Sequence, residues 1–223
     1  MKLFLDSANL DDVENALARG HISGVTTNPS LLAKEPKSNF YEHIKKIVKL
    51  IEADGRALPL SVEVFATKPD EMIAQAQEII QQIAYPQLNI KVPIGWNELK
   101  VIYALAKAGI KVNCTCIFTE EQCVLAASSG ASYVSIFHCR LKDMGGDPVT
   151  VIENTRQILD QAGHNAEIIV GSIRMQSDIL EAHLAGAHIV TAGAKIMEQM
   201  AAHPGTDKSV QGFLKDFESW MAK

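Results

Sequence analysis

Eight alternations of a short β-type run and a helix-type run organise this 223-residue sequence. Each β-type run is followed by a stretch with apolar residues at i, i+3 and i+4, which is the spacing of an amphipathic helix. The β-type runs are KLFLD, GVTTN, PLSVEVFA, LNIKVPI, KVNCTCIF, SYVSIFHC, AEIIVGSI and HIVTAG. Strands that alternate with helices form parallel sheets, and eight such units in a chain of this length match a (β/α)8 barrel. We therefore predict an α/β barrel that forms a single domain over residues 1–223.

A doubly wound open sheet is the competing topology, and the first turn of the chain disfavours it. Open sheets of that kind usually have fewer units and a glycine-rich turn after the first strand. Here that turn reads SANLDD, which lacks the G-x-G-x-x-G pattern. Beyond the eighth unit, a last amphipathic segment from about residue 207 to 221 predicts an additional C-terminal helix. We expect this helix to pack on the barrel or on a neighbouring subunit.

Charge, hydropathy and cysteine usage exclude several classes of function. The chain has 21 Lys and Arg against 26 Asp and Glu, with no basic block, which argues against nucleic acid as the main partner. No apolar run approaches the roughly 18 residues of a membrane span. The N-terminus, MKLFLDSANLDD, lacks the apolar core of a signal peptide. The four cysteines are therefore expected to be reduced thiols in a cytoplasmic protein.

Two charged side chains are predicted to point into the barrel. Catalytic groups of such barrels lie at the C-terminal ends of the strands, and side chains alternate between the two faces of a strand. In LNIKVPI the aliphatic residues share one face, so Lys91 lies on the other; the same parity turns Glu63 inward. A buried ammonium costs several kcal/mol unless it is paired or neutral. Lys91 is thus either one half of a structural ion pair or an amine that attacks a carbonyl, and Glu63 is either its partner or a general acid or base.

The parity of the cysteines and histidines argues against a metal centre. In KVNCTCIF, Cys114 and Cys116 share a face that is expected to pack against the helices, opposite Asn113 and Thr115. His138 is the one histidine near a strand end, and it has outward parity as well. A catalytic metal site built on several histidines is therefore not expected.

Further polar residues lie at the same end of the predicted strands. Arg140 follows the sixth strand, and Ser172 and Arg174 end the seventh, so two arginines beside a serine form a candidate phosphate site. Asp6 and Asn28 end the first and second strands. Each of these two residues is either a helix cap or part of the same site.

Taken together, these motifs resemble the transaldolase family. GVTTNPSLLAKE resembles the signature around its second strand, and IKVP, which contains Lys91, resembles its Schiff-base strand. The first-strand aspartate, the N-x-T, the S-x-F-x-x-R and the S-x-R follow in the family's order along essentially the whole chain. The length is similar to that of the short branch, which also contains the fructose-6-phosphate aldolases.

The resemblance implies a role for each motif residue and requires neither a cofactor nor a metal. It implies that Lys91 is the Schiff-base nucleophile, that Asp6 handles protons during carbon–carbon cleavage, and that Glu63 with Thr115 holds a water. The residues that it assigns to substrate binding are Asn28, Asn113, Ser135, Phe137, Arg140, Ser172 and Arg174.

Two positions distinguish the branches of the family. The aldolases typically have Gln at the position of Glu63 and Tyr at that of Phe137, so this chain resembles the transaldolases at both. The resemblance thus implies transfer of a dihydroxyacetone unit from sedoheptulose 7-phosphate or fructose 6-phosphate to glyceraldehyde 3-phosphate or erythrose 4-phosphate, in the pentose phosphate pathway. It also implies a homo-oligomer, a decamer in the short branch. The alternatives are an aldolase that releases free dihydroxyacetone and an inactive barrel that binds sugar phosphates.

Departures from the family pattern surround Phe137. Ile136 replaces a proline that is common there, and His138 and Cys139 are unusual before Arg140. These departures concern the rim of the site, and hence the choice of acceptor, more than the chemistry.

Overall fold

Eight parallel strands close into a barrel in the computed structural model, which describes residues 2–222. Each strand pairs with its neighbours in chain order, and β1 pairs with β8. The strands are β1 (Lys2–Asp6), β2 (Val25–Thr26), β3 (Leu60–Glu63), β4 (Leu88–Pro93), β5 (Val112–Ile117), β6 (Tyr133–Phe137), β7 (Glu167–Gly171) and β8 (Ile189–Ala192). The predicted (β/α)8 barrel is confirmed, and the open sheet is excluded.

The helices follow the strands and surround the barrel. They are α1 (Leu10–Ala18), α2 (Pro29–Leu32), α3 (Phe40–Asp54), α4 (Pro69–Ile83), α5 (Glu98–Lys107), α6 (Glu120–Ser128), α7 (His138–Asp143), α8 (Pro148–Gln161), α9 (Gln176–Leu184), α10 (Ala194–Ala201) and α11 (Pro204–Met221). The main core is formed by the outward faces of the strands and by buried apolar residues of α1, α3, α4, α5, α6, α8, α9 and α10. Each large aliphatic side chain buried there stabilises the fold by about 1.5–3 kcal/mol.

A second, smaller apolar cluster fills the barrel interior. It consists of Phe4, Tyr133, Ile169 and Ile189, all buried. Gly24 makes room for it, since a Cβ at that position would lie 2.6 Å from the ring of Phe4. The interior is therefore packed at this level, and the polar groups that the strands also turn inward have to lie elsewhere along the barrel axis.

Several strands are shorter than their sequence runs. β2 has two residues, β6 ends at Phe137 and β7 ends at Gly171. His138 and Cys139, which the sequence placed in the sixth strand, instead begin the short helix α7. The backbone N–H of Cys139 donates to the carbonyl of Ser172 at 3.1 Å, and this bond joins the two segments that follow β6 and β7.

The C-terminal helix α11 begins earlier than predicted and stands away from the barrel. Pro204 occupies its first turn, a position where the missing N–H costs nothing, and the His203 side chain accepts from the N–H of Gly205. No residue along α11 is buried, and its apolar side chains are exposed. Packing of this helix on its own barrel is therefore not observed. Among residues 2–222, no helix is both long enough and apolar enough to cross a bilayer.

Candidate active site

Lys91 lies inside the barrel with one carboxylate and one carbonyl as neighbours. Its side chain is 7% exposed, and its Nζ lies 3.3 Å from Oε2 of Glu63. The ammonium also donates to the carbonyl oxygen of Thr27 at 3.0 Å. The pairing follows from the strand register, which sets Glu63 directly beside Lys91 on the adjacent strand. A primary amine thus faces the interior with a carboxylate within proton-transfer reach.

Asp6 ends β1 near this amine and is held by a chain of hydroxyls. The Thr26 hydroxyl donates to Oδ1 of Asp6 at 2.7 Å and lies 2.6 Å from the hydroxyl of Thr191. Burial raises the pKa of Asp6, and the charge of Lys91 and the Thr26 hydrogen bond only partly oppose this effect. The Asp6 carboxyl therefore keeps its proton to a higher pH than an exposed aspartate does.

Sequence reasoning missed Thr26 and Thr191 as parts of the site. The sequence could have indicated Thr26, because this residue is two positions from Asn28 and its side chain is therefore expected on the same face of the second strand. Thr191 gave no such signal. The contact between the two hydroxyls depends on β8 and β2 flanking β1 on its two sides, which is known only once the barrel closes.

A buried row of hydrogen-bonded side chains runs from β6 through β5 to β3 and so spans the strand of Lys91. The Ser135 hydroxyl donates to Oδ1 of Asn113 at 2.7 Å, and Nδ2 of Asn113 donates to the Ser61 hydroxyl at 3.1 Å. These bonds fix the orientation of the Asn113 amide. The buried Thr115 hydroxyl, by contrast, makes no hydrogen bond to another group within residues 2–222. A buried hydroxyl in that state is suited to bind a water or a substrate oxygen.

Asn28 performs the capping role that the sequence left open. It is the N-cap of α2, and its side chain accepts from the N–H of Leu31 at 3.0 Å. It also directly follows Thr27, whose carbonyl accepts from Lys91. Asn28 therefore lies at the same end of the barrel as Lys91. Its role as a helix cap is compatible with a contact to substrate.

Phe137 and Arg140 form one edge of the site. The guanidinium carbon of Arg140 lies 4.7 Å from the centroid of the Phe137 ring, which is a cation–π contact. Phe118 packs edge-on against the same ring, with centroids 5.8 Å apart. The charge of Arg140 lowers the pKa of Asp6, so the field of this arginine reaches the reactive groups.

Ser172 and Arg174 lie on the segment that follows β7, because this strand ends at Gly171. Ser172 has a φ of +58°, in the left-handed region. Both terminal nitrogens of Arg174 donate to the carboxylate of Asp143 on α7. The pair is half exposed, with Arg174 56% and Asp143 51% accessible. Arg174 therefore has to exchange this carboxylate for any phosphate that it binds.

The prediction that Cys116 packs against the helices is wrong. The register between β5 and β6 shifts between Cys114 and Ile117, and Cys116 within that irregularity has a φ of +61°. The irregularity interrupts the alternation of side chains. The pKa of the Cys116 thiol is raised by burial and by the charge of Glu63, and it is lowered by that of Lys91. The thiol therefore lies near the reactive groups.

Comparison with known proteins finds a family model and relatives that match nearly the whole chain. Residues 3–223 match a family model described as Transaldolase/Fructose-6-phosphate aldolase. The probable transaldolase of Symbiobacterium thermophilum is 40% identical over 219 residues, which cover 98% of each chain. Probable transaldolase 2 of Listeria monocytogenes is 41% identical over 223 residues, which cover 100% of this chain and 99% of the relative.

A solved structure supports the fold alone. Thiamine phosphate pyrophosphorylase from Pyrococcus furiosus superimposes with a TM-score of 0.62 at 12% sequence identity. The match covers 86% of this chain and 85% of that one.

Proposed function

Because this chain belongs to the transaldolase/fructose-6-phosphate aldolase family, we propose that it is a class I transaldolase. It moves a dihydroxyacetone unit from a ketose phosphate, sedoheptulose 7-phosphate or fructose 6-phosphate, to an aldose phosphate, glyceraldehyde 3-phosphate or erythrose 4-phosphate. This is a reaction of the pentose phosphate pathway. The observation that carries the proposal is the buried Lys91 amine, 3.3 Å from the Glu63 carboxylate.

The first step is imine formation at Lys91. The neutral amine attacks the ketone carbon of the donor, and the resulting carbinolamine loses water to give an iminium ion. The Glu63 carboxylate lies 3.3 Å from Nζ and is positioned to take the ammonium proton. The unpartnered hydroxyl of Thr115 supports a role in holding the water that leaves here and returns at hydrolysis.

The second step is cleavage of the bond between the third and fourth carbons of the donor. A base removes the proton of the C4 hydroxyl, the aldehyde half departs, and the bonding electron pair flows into the iminium to form an enamine. Asp6 is the proposed base, and it later returns the proton when the enamine attacks the acceptor. Its raised pKa supports both uses, since proton transfer is most effective when the pKa of the group lies closer to the working pH.

Substrate contacts complete the proposal. Asn28, Asn113 and Ser135 are proposed to bind the hydroxyls of the three-carbon unit, and the bonds that orient the Asn113 amide support this role. Arg140, Ser172 and Arg174 are proposed to bind the phosphate. The cation–π contact with Phe137 pre-positions Arg140 for that role.

The choice between transfer and release depends on how long the enamine survives. Phe137 offers no hydroxyl through which a water could protonate the carbanion, so the three-carbon unit waits on Lys91 for an acceptor. With fructose 6-phosphate alone, we expect one equivalent of glyceraldehyde 3-phosphate per subunit and little dihydroxyacetone. Addition of erythrose 4-phosphate should restart turnover.

Phe137→Tyr should increase release of free dihydroxyacetone, and Phe118→Tyr is the matched control. Phe118 contacts the same ring, so the control adds a phenol nearby without changing the residue beside the proposed carbanion. Release by the unmodified enzyme as fast as transfer would instead support the aldolase. An unmodified enzyme that binds the donor without turnover would support the inactive binding barrel.

Assembly into a homo-oligomer is part of the proposal. Along the exposed helix α11, Phe213, Phe217 and Trp220 are 72%, 58% and 68% accessible, and the rings of Phe217 and Trp220 stack. Three exposed aromatic side chains along one helix are typical of a protein–protein interface. We propose that a second copy of the chain covers it, within the decamer that the resemblance implies. Light scattering on the full chain and on Phe217→Ser should give a smaller particle for the variant.

A further inference from the structure

A buried histidine–cysteine–aspartate cluster lies beside the barrel, where α7 meets the first turn of α9. The Nδ1 atom of His138 lies 3.7 Å from Sγ of Cys139 and 4.0 Å from Oδ1 of Asp178. The Cys139 thiol donates to Oδ2 of Asp178 at 3.1 Å. The three residues are 0%, 6% and 6% exposed. None of them takes part in the proposed sugar chemistry.

We propose that His138, Cys139 and Asp178 bind one zinc ion. Imidazole, thiolate and carboxylate are the three ligand types of protein zinc sites, and this mixed set with sulfur favours zinc over magnesium or calcium. Ligand atoms of a tetrahedral zinc at about 2.0–2.3 Å lie roughly 3.3–3.6 Å from one another. The atoms available here already lie within 4.8 Å of one another, so small side-chain rotations complete the set. A water occupies the fourth position.

Glu181 supports His138 as a ligand from the far side of the ring. Its Oε2 lies 2.9 Å from Nε2 of His138, although the angle falls short of a well-formed hydrogen bond. A carboxylate beside Nε2 favours the tautomer that carries its proton there. The lone pair of Nδ1 then faces Cys139 and Asp178. Carboxylates in this position behind a metal-bound histidine are a common feature of zinc sites.

Charge balance identifies Lys142 as the group that zinc displaces. The Lys142 ammonium bonds to Glu181 and lies 3.7 Å from Oδ1 of Asp178, so it compensates both carboxylates when no metal is bound. Its side chain is 41% exposed and free to move into solvent. Zinc binding releases the thiol proton of Cys139, and the ion then balances one thiolate and one carboxylate.

Zinc in this position would join the two segments that carry Arg140 and Arg174. Cys139 directly precedes Arg140, and Oδ2 of Asp178 accepts the backbone N–H groups of Arg174 and Met175. The proposed zinc therefore has a structural role and leaves the amine chemistry of Lys91 independent of metal. Chelation should lower the melting temperature without preventing imine formation.

Equilibrium dialysis of the full chain against zinc alone, followed by metal analysis, tests the site. We expect one equivalent per chain, with affinity reduced at least about 100-fold in His138→Gln and in Cys139→Ser. Lys142→Met should bind zinc more tightly, because the competing cation is gone. His21→Gln and Cys116→Ser, which remove a histidine and a thiol elsewhere, should bind as the wild type does.

A second probe covers the case in which a ligand variant fails to fold. Cobalt added to the unmodified chain should give the visible spectrum of a tetrahedral site with a thiolate charge-transfer band. Zinc that stays unbound at about 100 μM, or that binds equally well to both ligand variants, would overturn the proposal, as would the absence of a thiolate band. None of these readouts uses sugar turnover, so the zinc site and the proposed activity can fail separately.

Discussion

Replacing Thr26 with valine removes one hydrogen bond from Asp6 while it preserves the side-chain shape. The Thr26 hydroxyl donates to the Asp6 carboxylate at 2.7 Å. That bond stabilises the ionised carboxylate against the burial that raises its pKa. Without it, the pKa of Asp6 should rise further, and the enzyme should need a higher pH before Asp6 can accept a proton from the donor.

The size of the change follows from the strength of a buried hydrogen bond to a charged group. Such bonds contribute about 1.5–3 kcal/mol. One pKa unit corresponds to 1.36 kcal/mol, so the acid limb of the kcat/KM profile should move upward by about one to two pH units. At pH values well above that limb, the variant and the wild type should converge.

The assay is the pH dependence of kcat/KM for transfer from fructose 6-phosphate to erythrose 4-phosphate. Thr191→Val is the matched control, because the Thr191 hydroxyl contacts Thr26 at 2.6 Å. That variant keeps the bond from Thr26 to Asp6 and should shift the limb much less. An unmoved acid limb in Thr26→Val, or an equal shift in both variants, would refute the assignment of Asp6 as the proton-transfer group.

Three further predictions concern the proposed phosphate site and the cost of the buried Asp6 carboxylate. Arg140→Ala and Arg174→Ala should each raise KM for phosphorylated donors roughly tenfold to a hundredfold and leave KM for free dihydroxyacetone unchanged. Wild-type KM values in both variants would exclude these arginines as the phosphate site. Asp143→Asn, which frees Arg174, should lower KM for the same donors, and a raised KM would contradict this. Because the folded-state pKa of Asp6 is raised above its unfolded value, ionisation of this carboxyl destabilises the fold as pH rises above the unfolded pKa, and the loss is complete above the folded pKa. Asp6→Asn should therefore raise the melting temperature at pH 7, and the gain should shrink as pH falls toward 4.

The strand–helix alternation was sufficient to predict the barrel because it depends on local periodicity. Lys91 and Glu63 could be placed inside it for the same reason, since both lie within regular strands where parity holds. The alternation of side chains predicted the wrong face for Cys116, because the irregularity in β5 redirects this side chain. It also failed to describe His138 and Cys139, because the helix begins directly where β6 ends.

Contacts between elements distant in sequence were not predictable. The bidentate pairing of Arg174 with Asp143 joins residues 31 positions apart, and Asp178 meets Cys139 across 39 positions. Such pairs depend on how α7 and α9 pack, and neither helix signals its partner in the sequence. The buried zinc candidate therefore became visible only in the folded chain.

Borohydride trapping with the donor tests the central assignment, that Lys91 forms the imine, most directly. Incubation of the enzyme with fructose 6-phosphate and borohydride should add the mass of one reduced three-carbon unit per chain. Peptide mapping should place it on Lys91, and Lys91→Met should abolish both the adduct and transfer. An adduct on Lys111 or Lys195, or transfer that continues in Lys91→Met, would contradict the account.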